Sequence, residues 1–317
     1  MSIARNHVIS RWGEAPVTSI TGLDLASWLK QLDAKYPEAT VRNIRKVMGL
    51  VLNAAVDERM IAANPMPRGS RRKKKTTRKR TPTTVAAVTS AWHNYATPLQ
   101  VHDIATRADD LAGPGAFTLI VTAAYCGLRW GEVADLQRAY VNLSEGMLVI
   151  DEEDGVLHEV SGQLWLGDPK TEAGGRTIKL PPFLIDLLQL QLDRHGSPLV
   201  FPGAKGAMQR RSNWGKRVWR PACDGDERLP QSRRYGWEPL AHGLRMHDLR
   251  DSLNTWLISD GIPEVARCQR LGWLMSDQVQ QAYSHMSAET EQAMVDTLQK
   301  RWDTSLREAR ERASKAA

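Results

Sequence analysis

The chain has 317 residues, 42% of them hydrophobic and 25% charged, which is the composition of a soluble globular protein large enough for two domains. Its longest apolar run, around 116–126, is too short to span a membrane, and its N-terminus lacks the apolar core of a signal peptide. Three cysteines without paired spacing exclude a disulfide framework and a zinc-ligand pattern, and they fit a reducing cytoplasm.

The net charge of +7 favours an acidic partner such as nucleic acid, although a basic protein without a nucleic-acid role also fits it. The charge is concentrated in residues 65–83, which carry prolines near both ends and no acidic residue between Pro65 and Pro82. We predict that this segment is an extended linker between two domains. Its densest cations are Arg71, Arg72, Lys73, Lys74, Lys75, Arg78, Lys79 and Arg80. They either contact DNA phosphates, releasing counterions, or belong to a solvated tether.

Residues 1–64 are predicted to form a small helical domain. Thr21 can cap a helix whose third position is Asp24, and apolar residues follow it at helical spacing. These residues are Leu25, Trp28, Leu29 and Leu32. A second helix is predicted to have an apolar face formed by Val41, Ile44, Met48, Val51 and Ala55. Its cations Arg42, Arg45 and Lys46 are expected to point outward, either along a DNA backbone or groove or into solvent.

Residues 84–286 are predicted to form a larger domain of helices and a few strands. Helical periodicity runs towards Gln137 and resumes at 183–195, at 213–222, at 247–259 and from Pro263 onward. Strands are predicted at 147–150, 164–166 and 177–180. The last two are expected to form a β-hairpin that has Lys170 near its tip.

Separate segments of this domain carry polar residues suited to binding phosphate. Arg129 follows an apolar helix expected to end at Gly127, at a tight junction where helix N-terminal amides also point outward. His247 and Arg250 are three residues apart and therefore share a helix face. Tyr283 comes ten residues after Trp273.

At these segments the sequence resembles the tyrosine recombinases, or phage integrases. The family signature is an Arg in a Gly-Leu-Arg-x-Gly-Glu turn, a hairpin Lys, a His-x-x-Arg pair, a Leu-Gly-His or Leu-Gly-Trp, and a Tyr near the C-terminus. All five occur here in order, and the resemblance covers the chain from about Ser10 to Glu291. It implies an α+β catalytic domain, mainly α with a small antiparallel β-sheet, over residues 84–286. It also implies a helical core-DNA-binding domain over residues 1–64.

The chemistry of these residue types suits the resemblance. Arg129 and Arg250 can each hold non-bridging phosphate oxygens with paired donors, and preorganised donors of this kind are often the largest catalytic effect. Tyr283 is a weak nucleophile while protonated, because its ordinary pKa is about 10, and cations nearby favour its phenolate. His247 is a candidate general base or phosphate donor, and Lys170 is the candidate acid for the leaving 5′-hydroxyl.

The resemblance implies a 3′-phosphotyrosyl intermediate that conserves bond energy, so that neither ATP nor a metal nor another cofactor is needed. The sequence agrees, since it has no phosphate-binding glycine loop and no metal-ligand cluster. Trp273 offers one indole N–H, which can hold a phosphate oxygen but cannot transfer a proton, and a packing role is the alternative.

Plainer interpretations exist for the other candidates. Arg129 could pair only with Glu132, Lys170 could be an ordinary hairpin lysine, and His247 and Arg250 could be structural. Three further positions depart from the simplest pattern or lie beside it. Asp251 stands where the family often has a second His, and it is expected to orient Arg250 or to cap its helix locally. Glu132 is expected to be a buried partner that orients an arginine, and His285 to be structural or interfacial.

Residues 287–317 are predicted to form a C-terminal helix with an apolar stripe. The stripe consists of Met294, Leu298, Trp302 and Leu306. The resemblance implies that this tail docks into a neighbouring protomer of a homo-tetramer around two DNA duplexes, and packing on its own domain is the alternative. The end of the tail, 308–317, is expected to be frayed.

These features predict an integrase that joins phage DNA to a host chromosome. It would act in the bacterial cytoplasm on double-stranded core attachment sites, as a tetramer on DNA and as a monomer or weak oligomer when free, without any membrane association. A type IB topoisomerase, a chromosome-dimer resolvase and a DNA-binding regulator with a degenerate catalytic domain are the alternatives. Because the chain begins close to Trp12, we expect no arm-binding domain, although a misplaced gene start or a shortened chain would explain the same beginning.

Overall fold

The computed structural model describes residues 3–67, 95–151, 156–160, 163–167, 175–227, 229–275 and 286–316. The chain divides into two compact units, Met1–Thr83 and Thr84–Ala317, and each has a hydrophobic core of its own. The cations predicted to bind DNA at 71–80 lie outside the described residues, as do Lys170, Tyr283 and His285. The finer domain boundaries at residues 64 and 286 stay predictions.

The first unit is helical, as the sequence predicts. A helical segment, α1, runs as a π-helix over Ala4–Ile9 and as an α-helix over Ser10–Trp12, and it is followed by α2 (Gly22–Lys35) and α3 (Glu38–Asp57). Thr21 and Asp24 form the predicted capping box. The Asp24 backbone N–H donates to Thr21 Oγ1, and the Thr21 backbone N–H donates to Asp24 Oδ2, each at a distance of 3.2 Å. The stripe Leu25, Trp28, Leu29 and Leu32 is buried, which fixes α2 on the core of the unit.

The buried face of α3 differs from the predicted one at a single position. Val51 is 47% exposed, and Leu52 is fully buried in its place. Leu52 lies four residues after Met48 and three before Ala55, so the three side chains share one face of a 3.6-residue helix. The prediction that Val51 is buried is wrong. Several apolar residues are adjacent here, so the sequence alone does not show which of them lies at the centre of the buried face.

The second unit is an α+β fold, mainly α-helical with short antiparallel strands, as predicted. Its first helices in the described ranges are α4 (Pro98–Ala112), α5 (Pro114–Cys126), α6 (Trp130–Ala134) and α7 (Pro182–Asp193). They continue with α8 (Arg211–Trp214, then a π-helical Gly215–Trp219, then Arg220–Asp224), α9 (Asp248–Ser259), α10 (Glu264–Leu271) and α11 (Ala288–Ala316). None of the helices in the described ranges combines the length and apolarity of a membrane span.

The strands in the described ranges form two separate antiparallel sheets. β1 (Val141–Asn142), β2 (Met147–Ile150) and β5 (Arg176–Lys179) form one sheet in the order β1-β2-β5, and β3 (Val156–Val160) pairs with β4 (Gln163–Gly167) in the other. The predicted hairpin of 164–166 with 177–180 is therefore wrong, because its two arms belong to different sheets.

The pairing of β5 with β2 follows from burial rather than from nearness in sequence. Leu148 and Ile178 are register partners, and both are buried in the core of the second unit. Trp165 on β4, in contrast, is 45% exposed. The alternation of a short strand shows which side chains face inward but not which strand lies beside it.

Helix α11 packs on its own unit. Met294, Leu298 and Trp302 are buried, and the Trp302 ring stacks on Phe183 with 4.4 Å between centroids. The Arg301 guanidinium donates to both carboxylate oxygens of Asp260 at 2.6 and 2.7 Å.

The helix continues to Ala316, and Arg312 pairs with Asp103 of α4. The expected fraying from residue 308 is therefore wrong, because this ion pair ties the end of the helix to the unit. Docking of the tail into a second protomer stays a prediction.

The α3 assignment can be tested by truncating each residue in the full chain. Leu52→Ala is expected to lower the stability of the first unit by about 2–5 kcal/mol, because it leaves a cavity in a packed core. Val51→Ala, the matched control one residue away, is expected to stay within about 0.5 kcal/mol. Hydrogen exchange of peptides covering α3 measures both, and equal protection in the two variants would contradict the assignment.

Candidate active site

Arg129 lies at a sharp junction between two helices. Helix α5 ends at Gly127, which has a left-handed conformation (φ 65°), and a Cβ at this position would lie 2.5 Å from Leu271 Cδ2. The glycine therefore turns the chain within a space that no side chain fits. Arg129 then precedes α6 with an extended backbone, and 21% of its side chain is accessible. The sequence predicted this junction correctly.

Glu132 holds Arg129 in place. One carboxylate oxygen of Glu132 accepts the Arg129 backbone N–H at 2.9 Å, and the other accepts Arg129 Nη1 at 2.7 Å. Arg176 approaches the same carboxylate and donates from Nη2 at 2.8 Å. Burial of Glu132 opposes its ionisation, but Arg176 and Arg129 outweigh this and lower its pKa to about 2. The prediction of a buried carboxylate that orients an arginine is confirmed.

Arg250 is fully buried in the first turns of α9 and has incomplete hydrogen bonding. Its Nη1 donates to the carbonyl of Gly127 at 2.5 Å. Its Nε and Nη2 are buried and have no hydrogen-bond partner among the described residues. Burial lowers the pKa of Arg250 to about 9, and the positive charges of Arg129 and Arg176 act in the same direction. Buried donors without acceptors are costly and rare, so this guanidinium is suited to binding an anion.

His247 lies at the N-terminus of α9, and its side chain is accessible to solvent. Partial burial lowers the pKa of His247, as do the charges of Arg250 and Arg129, whereas the Asp251 carboxylate raises it. Neutral imidazole is therefore favoured over imidazolium, as a proton acceptor requires. Asp251 lies half-buried in the first turn of α9, and its negative charge favours the protonated forms of both His247 and Arg250 by raising their pKa values.

Trp273 follows the left-handed Gly272 that ends α10. Its half-buried ring packs against Arg250, with 5.3 Å between Arg250 Cζ and the ring centroid. This contact is a cation–π interaction, which stabilises the charged guanidinium inside the unit. The structure therefore gives Trp273 a packing contact with a predicted catalytic residue, and donation from its indole N–H stays a prediction.

The described part of the site thus brings together Arg129, His247, Arg250 and Trp273 from separate segments of the chain. Lys170 and Tyr283 were predicted to complete it, and both lie outside the described residues. The described residues on either side of Tyr283 belong to the second unit: Met275 is buried there, and Met286 packs against its core.

Arg176 was missed as part of this site, since the sequence showed it only as one more cation near Lys170. Alternation along a strand could have identified it. Arg176 is two residues before the buried Ile178, so both side chains face the same side of β5, towards the core. Lys and Arg side chains are seldom buried without a partner, and the Arg176 guanidinium pairs with the buried carboxylate of Glu132.

The three cations of α3 that were predicted to contact DNA differ in their exposure and in their partners. Arg42 and Lys46 are exposed, with Arg42 paired to Glu38 at 2.9 Å across one helical turn. Arg45 is half-buried and donates to the carbonyl of Pro67, so the expectation that it points outward is wrong. The chain that follows α3 folds back and presents a carbonyl group that needs a donor.

Removing the charge of Glu132 tests its role as a buried partner. Glu132→Gln is expected to destabilise the second unit by about 3–5 kcal/mol at pH 7, because Arg176 loses its buried counter-ion. The pKa of Glu132 is about 2 in the folded chain, against its ordinary 4.5. Its ionised form therefore stabilises the fold above pH 4.5, and this contribution is lost as the pH falls towards 2. Urea unfolding should show a difference between parent and variant that narrows below pH 4.5, and a constant difference would contradict this account.

The charge state of His247 can be measured directly. In the free protein its ring should titrate below 6.5, the ordinary pKa of histidine, because burial and the positive charges of three arginines disfavour imidazolium. Asp251→Asn should lower this pKa further, since that carboxylate raises it. NMR titration of the ring protons gives both values, and a pKa at or above 6.5 in the parent protein would refute the assignment.

Comparisons with known proteins agree with the geometry of the site. No family model matches the chain. It is 24% identical over 294 residues to the integrase of Mycobacterium phage L5, covering 92% of this chain and 71% of that protein. It is 23% identical over 267 residues to a putative prophage phiRv2 integrase of Mycobacterium tuberculosis, covering 84% of this chain and 64% of that protein.

Solved structures share the fold at low sequence identity. The Tn1549 transposon integrase in complex with transposon right end DNA has a TM-score of 0.63 and 17% identity, covering 93% of this chain and 91% of that one. A lambda integrase dimer bound to a core site has a TM-score of 0.50 and 15% identity, covering 87% and 85%. The chain thus shares the fold of these integrases and is similar in sequence to phage and prophage integrases over most of its length, as the order of its motifs predicts.

Proposed function

We propose that the chain is a phage or prophage site-specific recombinase that cuts and rejoins DNA, with Tyr283 as its nucleophile. The observation that carries this proposal is the buried guanidinium of Arg250, whose Nε and Nη2 lack acceptors among the described residues. The partly accessible Arg129 is close enough to lower the pKa of Arg250. Two guanidiniums arranged in this way can receive the non-bridging oxygens of one phosphate.

The reaction is a pair of transesterifications at phosphorus. The Tyr283 phenol oxygen attacks the scissile phosphate and passes its proton to His247, whose lowered pKa favours the accepting form. The bond from phosphorus to the 5′-oxygen breaks, and that oxygen takes a proton from Lys170 to leave as a hydroxyl. A 5′-hydroxyl from a second DNA end then gives its proton to Lys170 and attacks the phosphotyrosine. The bond from phosphorus to the Tyr283 oxygen breaks, and that oxygen takes its proton back from His247, so the phosphodiester bond energy is conserved.

Arg129 and Arg250 stabilise the charge that develops on the phosphate during both steps. They are positioned before the reaction by Glu132 and by the Gly127 carbonyl, so little reorganisation is needed at the transition state. Removal of one such donor from other enzymes costs about 10²–10³-fold in rate. Negative charge on the phosphate increases in the transition state, so cationic groups in a site that partly excludes water stabilise the transition state more than the bound substrate.

The partner in this proposal is double-stranded DNA carrying core attachment sites. The known structures of similar fold include a transposon integrase with transposon end DNA and a lambda integrase dimer on a core site. The net charge of +7 and the cations of α3 and of 71–80 support a DNA partner through phosphate contacts.

Two recombining duplexes require four active sites, so the proposal includes a homo-tetramer and a Holliday junction. Its biological outcome is integration of a viral genome in the bacterial cytoplasm, and the phage and prophage integrases that resemble the chain support this context.

A DNA substrate nicked close to the cleavage position tests the chemistry, because loss of a short fragment traps the covalent intermediate. The parent protein is expected to form a protein–DNA adduct, and Tyr283→Phe is expected to form none. Tyr95→Phe, an exposed tyrosine in the same unit, is the matched control and should keep the parent rate. Adducts are counted on denaturing gels, and adduct formation by Tyr283→Phe would overturn the assignment of the nucleophile.

The same substrate separates the alternatives. A parent protein that binds DNA without forming any adduct would be a regulator with a degenerate catalytic domain. An enzyme that relaxes any supercoiled plasmid, without exchanging strands between two specific sites, would be a topoisomerase.

A further inference from the structure

Two buried arginines, Arg176 and Arg270, contact the segments that carry Arg129 and Arg250. Arg176, at the start of β5, is 9% exposed and Arg270, near the end of α10, is 2% exposed. Neither residue is part of the five-motif pattern of the sequence. Burying a guanidinium costs several kcal/mol in solvation unless charged or polar partners replace water, so their contacts need an account.

Arg176 joins three segments of the site. Its Nη2 donates to Glu132 on α6 at 2.8 Å, and Glu132 in turn holds Arg129. Its Nε donates to the carbonyl of Arg270 at 2.9 Å, at the end of α10. That carbonyl is three residues before Trp273, whose ring packs on Arg250. One side chain on β5 therefore fixes both the Arg129 turn and the end of α10.

Arg270 completes the arrangement from the opposite direction. Its Nε and Nη2 donate to the carbonyl of Tyr125 at 3.2 and 2.8 Å, and its Nη1 donates to the carbonyl of Lys179 at 3.0 Å. Tyr125 is two residues before Gly127, whose own carbonyl accepts the Arg250 guanidinium. Arg270 thus fixes the last turn of α5 and the end of β5, on which the positions of Gly127 and Arg250 depend.

The contacts of the two arginines cross each other. Arg176 lies on β5 and donates hydrogen bonds to groups of α6 and α10, whereas Arg270 lies on α10 and donates to carbonyls of α5 and β5. Burial lowers the pKa of Arg270, which shows that the charge of its guanidinium is costly in this position. An apolar side chain would fill the same space at lower cost, but it could not donate to the carbonyls that set the geometry of the site.

We infer that Arg176 and Arg270 are positioning residues of the strand-transfer reaction. Through Glu132 and the end of α5, they fix the positions of the Arg129 and Arg250 guanidiniums. This inference rests on the proposed function. Neither residue touches the phosphate in this account, so both act through the residues that do. Loss of a partner that orients a ligand in metal sites typically costs about 10- to 100-fold, and an effect of this size is expected here.

The first measurement is the single-turnover rate of adduct formation on the nicked DNA substrate. Arg176→Gln and Arg270→Gln are expected to lower the rate about 10- to 100-fold, and Arg176→Lys is expected to recover part of the loss. The matched control is Arg138→Lys. Arg138 is a half-buried arginine of the same unit that donates to the carbonyls of Leu192 and His195, away from the site. It should lose stability without losing rate.

A substrate with a neutral methylphosphonate at the scissile position separates positioning from general damage. This substrate lacks the charge that Arg129 and Arg250 stabilise, so it should be nearly insensitive to Arg176→Gln. Thermal unfolding of each variant shows whether it is folded at the assay temperature. Equal rate losses on both substrates, or the same rate loss in Arg138→Lys, would overturn the inference.

A second measurement does not depend on activity. The Nε–Hε NMR resonances of Arg129 and Arg250 in the full chain are expected to shift in Arg176→Gln and to stay in place in Arg138→Lys. Unmoved resonances in Arg176→Gln would refute the positioning role even if the rate fell. A parent protein that forms no adduct would refute the proposed function, and the resonances would still decide the role of Arg176.

Discussion

The burial of the Arg250 guanidinium is the interaction on which the rest of the catalytic unit depends. One of its nitrogens donates to the Gly127 carbonyl, and Nε and Nη2 have no acceptor among the described residues. Burial lowers its pKa to about 9, and the positive charges of Arg129 and Arg176 act in the same direction. Such a group is stable only if the surrounding structure fixes it, since buried cations without full compensation are costly.

The surrounding helices provide that rigidity. Helix α5 is buried along most of its length, and its last turn carries the carbonyls that hold Arg250 and Arg270. Gly127 allows the chain to turn directly into Arg129 within this packed environment. Because the interior of a protein is as dense as a crystal, a shift of any of these segments would displace both guanidiniums together.

Helix α11 buries most of its apolar stripe against its own unit. Its apolar stripe covers the aromatic cluster around Phe183 and Tyr125, and two arginine–carboxylate pairs tie it to α9 and α4. An amphipathic helix needs an apolar partner surface, and that surface is equally well a neighbouring protomer or its own domain. The fold of the single chain satisfies most of the stripe internally.

The sequence by itself determined the α+β class, the capping box of α2, the turn at Gly127 and the placing of Arg129, His247 and Arg250 in one site. These features depend on local signals, such as caps, glycine turns and residue spacing, and on a motif order that resembles a known family. Packing of the whole chain settled that β5 pairs with β2, that Leu52 replaces Val51 in the core, and that Arg176 and Arg270 donate to Glu132 and to the Tyr125 carbonyl. Arg176 is bonded to Glu132, and Arg270 to the carbonyl of Tyr125, although each pair is far apart in the sequence. Short-range patterns record which side of an element is buried, whereas the partner it meets is set by how the whole unit packs.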